Sequence, residues 1–129
     1  MLEINPETVC LIIARAREFH AKEGVEIPEE GPAGSGDDWA LEVLEDHLGD
    51  MTYQEVRDTI EDLEPDQQVA LVALMWVGRG EFGVDEWDGA LEAARDAWTS
   101  HTAEYLMATP LVADFLEEGL GLMGYSCED

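Results

Sequence analysis

LEPDQQVALVALMWVGRG, residues 63–80, is the stretch around which the rest of the chain must fold. Its opening reads as a helix start. Pro65 suits the first helical position, because the N–H it lacks has no partner there. Asp66 sets negative charge against the positive end of the helix dipole. From Val69 to Val77 no residue is polar. A helix that is apolar on every side belongs inside a protein, covered by other helices. Gly78 and Gly80 are expected to close it, which predicts a buried central helix over about 65–79.

Amphipathic segments lie on both sides of it. Upstream, Thr52-Tyr53-Gln54-Glu55 has the form of a capping box and predicts a helix from Tyr53 to about Asp62. Downstream, Asp85 is expected to cap a helix from Glu86 to about Thr99, with Trp87, Ala90, Leu91, Ala94 and Trp98 on its buried face. A short segment over Thr102–Ala108 follows. Thr109-Pro110 then starts a last helix, Leu111–Met123, which should bury Leu111, Phe115, Leu116 and Leu120. At the other end, Asn5-Pro6 starts a helix reaching about Lys22, with Val9, Ile12, Ile13, Ala16 and either Phe19 or His20 on one face. Asp37 or Asp38 caps a helix ended by Gly49. Between these, 23–36 is a Gly/Pro-rich loop. No stretch alternates as a strand does. The expected fold is all-α: a single domain over 1–129, a bundle of about six helices around the central one.

The charge is the unusual feature. Against 31 Asp plus Glu stand six Lys plus Arg, a net charge of -25. Such a surface repels nucleic-acid phosphates and anionic membranes and attracts basic proteins and cations. No apolar run is long enough to span a bilayer. The N-terminus lacks the basic segment of a secretory signal, so a cytoplasmic location is expected. Cys10 and Cys127 lie near opposite ends and form no CxxC pair. The expectation is one core thiol and one tail thiol, with no disulfide.

With so many carboxylates, metal sites need testing. An EF-hand loop requires acids at positions one, three and five, glycine at six and glutamate at twelve. Around Asp62, Gln67 replaces the glycine; around Asp85–Gly89, Val84 and Arg95 fall at positions one and twelve. Paired Glu-x-x-His for a di-iron centre is missing, since Arg17, Leu44 and Trp98 precede the three histidines by three residues. His101 and Glu104 are one helical turn apart, and a loop histidine beside a surface acid is the better reading. There is no nucleophile elbow, P-loop or dinucleotide fingerprint. No catalytic, cofactor-binding or metal-binding residue is therefore assigned.

Arg79 stands out as the one cation between Arg57 and Arg95. A guanidinium at the end of a buried helix can bridge two carboxylates, so it reads as a pin between helix ends. Past Arg95 there is no Lys or Arg, while Asp114, Glu117 and Glu118 crowd the last helix. Glu117 and Glu118 sit toward its C-terminus, where the dipole disfavours anions. These acids, with Tyr125 and Cys127 beside them, form a candidate docking surface.

Two passages carry a resemblance. Residues 63–80 above, and AEYLMATPLVADFLEEGLGLMGYSCED at 103–129, resemble a family of short bacterial proteins known only as a domain of unknown function. The resemblance implies a small single-domain protein and transfers no catalytic residue. The functional expectation is a non-enzymatic interaction module for a basic partner, in its sharper form a nucleic-acid mimic. The alternative is a small enzyme or metal-dependent protein using the acids near 81–88, and simple adaptation to high salt is a third reading.

Overall fold

The computed structural model describes residues 3–21, 49–99, 101–109 and 111–127. The predicted helix ended by Gly49 and the loop at 23–36 lie outside them, as does Lys22. Six α-helices make up the described part: α1 Pro6–His20, α2 Met51–Glu61, α3 Pro65–Arg79, α4 Trp87–Ala97, α5 Thr102–Ala108 and α6 Val112–Leu122, with a 3-10 turn at Val84–Glu86 before α4. No strand occurs among the described residues. The protein is an all-helical bundle.

Helix α3 is the centre, with the predicted bounds. Gln68 to Met75 and Val77 are buried in one nearly continuous run. Gly80 caps it in the left-handed conformation, φ 91°, which only glycine adopts without strain. α3 packs most extensively against α6 and, on another side, against α4. α1 packs on α2 and α6, and α2 on α5. Asn5 caps α1 by accepting from the Glu7 N–H at 2.9 Å. The predicted face of α1 is the buried one, Val9, Ile12, Ile13 and Ala16, and of Phe19 and His20 it is Phe19 that completes it.

Several local expectations are corrected. The cap of α2 is Asp50, whose Oδ1 accepts from the Tyr53 N–H at 3.0 Å. The helix thus starts before Thr52, which is buried inside it. The Asp carboxylate reaches the orphan N–H first, so the Thr52 box never forms. Glu86, not Asp85, precedes α4, and its Oε1 accepts from the Gly83 N–H at 2.8 Å. α4 ends at Ala97, leaving Trp98 at its C-cap and 40% exposed rather than on the buried face.

Thr109 does not open α6. Its hydroxyl donates backward to the Tyr105 carbonyl at 2.8 Å, closing α5. Leu111 then takes a left-handed φ of 62° and is 58% exposed, against the expectation of a core leucine. Gly78 does not end α3. It lies within the helix, facing the α6 backbone.

The cysteines are also corrected. Cys10 on α1 and Cys127 beyond α6 form a disulfide, with Cα atoms 5.5 Å apart. Spacing along the chain carries no information on such a pair. It arises because α1 and α6 pack side by side and bring the tail back over α1.

Candidate functional site

A cleft of about 300 Å³ opens between α3, α4 and α5. Val72 and Trp76 come from α3, Ala94 and Ala97 from α4, Trp98 and Thr99 from the following connector, and Thr102 and Tyr105 from α5. The two alanines keep α4 from filling it, since a methyl is all they project.

The polar edges of its aromatic walls are already bonded. The Trp76 indole N–H donates to the Tyr105 hydroxyl at 3.1 Å. The Trp98 indole N–H donates to Gln68 Oε1 at 2.7 Å. Gln68, on the buried helix, in turn donates to the carbonyls of Ile60 and Leu63 at 2.9 and 3.2 Å. This buried amide is satisfied at both ends, and it holds an exposed tryptophan in place. Among the described residues that line the cleft there is no carboxylate, histidine or cysteine.

A second cluster lies between α2 and α5. The Tyr53 hydroxyl and Glu104 Oε1 are buried with no hydrogen-bond partner among the described residues. Burial pushes the Tyr53 phenol up to about 12, and the Glu104 charge adds to the shift. His101 Nδ1 lies 3.7 Å from Glu104 Oε1. Glu104 is thus a buried acid, not the surface acid expected, because α5 turns it toward α2. Nearby, the His20 imidazole donates to the Met107 carbonyl at 2.9 Å, while burial lowers its pKa.

The residues singled out from the sequence are spread over the bundle. Among the described residues Arg79 binds one carboxylate, not two: its Nε donates to Glu81 Oε2, two residues along. Its guanidinium also lies 6.0 Å from the Phe115 ring centroid on α6. Burial works against its charge, but Glu81 and the Tyr105 hydroxyl outweigh that and raise its pKa. The pin therefore ties the end of α3 to α5 and α6 through aromatic groups. Its side chain is about one-third exposed, so Arg79→Ala should cost only about 1 kcal/mol in urea unfolding. A loss well above that would mean the guanidinium is a core element.

On α6, Arg17 of α1 reaches Asp114 Oδ1 at 2.6 Å and Glu117 Oε1 at 3.3 Å. Two of the three proposed docking acids are thus engaged internally, while Glu118 is exposed. Tyr125 is half-buried against the core and Cys127 is in the disulfide. Of the acids near 81–88, Glu81 holds Arg79 and Glu86 holds the Gly83 N–H. Among the described residues, no three His, Cys, Asp or Glu gather as a metal site would require. No helix there is long and apolar enough to cross a membrane.

The aromatic cleft escaped sequence reading. Trp76 and Trp98 both fell on faces expected to be buried, and Tyr105 lay in a short segment. The available signal was chemical: Trp and Tyr combine an apolar body with a polar edge and favour half-open sites.

A family described as "Protein of unknown function (DUF3775)" matches residues 53–125. The matched span holds every residue lining the cleft, while both cysteines lie outside it. Neither the curated proteins nor the solved structures compared include a match.

Proposed function

Since the chain belongs to the DUF3775 family, a family of unknown function, its role must be read from its own surface, and we propose that it is an interaction module for a basic protein partner. One observation carries this. Glu61, Asp62, Glu64 and Asp66 are four exposed carboxylates within six residues, and no Lys or Arg among the described residues pairs with any of them. Four arginines, Arg15, Arg17, Arg57 and Arg79, are already paired with other acids. The joint between α2 and α3 therefore projects uncompensated negative charge at the start of the central helix. Such a patch speeds encounter with a basic surface and makes the contact salt-dependent. This patch replaces the α6 surface as the main docking candidate, because Arg17 engages two acids there and offsets part of their charge. A nucleic-acid mimic is one form the module can take.

The test is capture on the immobilised protein at about 0.15 M salt and release at about 1 M, where screening shortens from about 8 to about 3 Å. A defined basic protein should be held by the wild type and lost by Glu61→Gln/Asp62→Asn/Asp66→Asn. That variant should stay folded, losing only about 0.3–1 kcal/mol from the helix-dipole contribution of Asp66. If the variant retains the same protein, or salt does not release it, the reading fails.

A further inference from the structure

The aromatic cleft offers an unusual set of contacts. Its two indole N–H groups are spent on the Tyr105 hydroxyl and on Gln68, and that hydroxyl accepts from Trp76 and from Arg79. The Thr102 hydroxyl donates to the Thr99 carbonyl at 2.9 Å. Few donors are left for an anion or a sugar. What the lining retains is ring surface and the methyls of Val72, Ala94 and Ala97. A ligand that fits must be largely apolar on its surface and need no hydrogen bonds. The net charge of -25 then sorts among such ligands, drawing in cations and repelling anions.

We propose that this cleft binds a quaternary ammonium group. A trimethylammonium head has an apolar shell, carries positive charge and makes no hydrogen bond. Two tryptophans and a tyrosine are the side chains whose ring quadrupoles attract such a cation best. The volume of about 300 Å³ admits a trimethylammonium head with a short tail, at the small end of ligand sites. Arg79, the cation that reaches Tyr105, is neutralised by Glu81 and so does not oppose entry. Gln68 holds the Trp98 wall in place without ligand, which reduces the ordering cost of binding. This inference stands apart from the acidic patch at 61–66.

The full chain is titrated with choline and with 3,3-dimethyl-1-butanol, its uncharged isostere. Calorimetry and the indole N–H signals of Trp76 and Trp98 report binding. Choline should bind at least tenfold more tightly than the isostere and should shift both indole signals. Trp98→Ala removes one wall from an exposed position, and Ala97→Leu fills the cleft from another. Each should weaken choline at least tenfold; Ala97→Leu should leave the thermal transition nearly unchanged, while Trp98→Ala lowers it because Gln68 Oε1 loses its donor. Equal binding of the isostere, unaltered affinity in both variants, or no choline binding overturns the proposal. A peptide bearing trimethyllysine, compared with its unmodified form, then identifies the source. Tighter binding than choline, lost in Trp98→Ala, assigns a methylated protein; weaker binding assigns a free small molecule.

Discussion

Gly78→Ala should destabilise the protein by about 3 kcal/mol or more, although alanine is the better helix former by roughly 1 kcal/mol. An alanine Cβ at Gly78 would sit 1.8 Å from the Phe115 carbonyl oxygen and 2.9 Å from the Gly119 nitrogen. One at Gly119 would sit 2.4 Å from the Leu74 carbonyl oxygen. All three are backbone atoms, so no rotamer change relieves the clash, and α3 and α6 would have to part. Parting them opens the layer formed by Leu71, Leu74, Met75, Leu116 and Leu120, all nearly inaccessible to solvent. Gly119→Ala should behave alike. Gly121 provides the internal control: it lies in the same helix as Gly119, and a methyl added there would meet nothing within 4 Å. Gly121→Ala should therefore be neutral or stabilise by about 0.5–1 kcal/mol. Urea unfolding of the three variants checks this. Similar losses at all three positions would show that the helices do not meet by backbone approach.

Opening the Cys10–Cys127 bond should have an effect of the same order. The two residues are 117 apart in sequence. Loop-closure reasoning puts a cross-link of that span at about 4–5 kcal/mol, and measured values are commonly about 2–4. Cys10→Ser, or reduction of the wild type, should thus lower stability by about 3 kcal/mol, while Cys10→Ser becomes insensitive to reductant. Alkylation before and after reduction should label no thiol and then two. Two thiols labelled in the unreduced native protein would reject the bond. The bond also bears on location. Cytosolic proteins rarely keep structural disulfides, so extraction under rapid alkylation tests the cytoplasmic expectation directly. A disulfide in the freshly trapped protein favours an oxidising compartment.

Sequence reading succeeded where contacts are local. The bounds of α3, the Asn5 and Pro65 starts, the Gly80 stop and the buried face of α1 each depend on residues within about one helical turn, where capping, φ preference and the 3.6-residue period act. It erred where two local signals competed. Asp50 outcompeted Thr52 as the cap of α2, and Thr109 bonded backward to close α5 instead of forward to open α6. Leu111 was exposed as a consequence, since its left-handed turn carries it away from the core.

An all-helical bundle, its central helix and its acidic surface are legible along the chain. Composition and short-range periodicity carry that information. Packing in three dimensions sets which elements meet. It makes Gly78 a helix-packing contact rather than a helix end, joins Cys10 to Cys127 and sets Asp114 and Glu117 against Arg17. It also gathers Trp76, Trp98 and Tyr105 around one cleft. The physical reason is common to all four. Each is a contact between residues far apart in the chain, set by how helices pack in three dimensions, and no period or cap along the sequence records it.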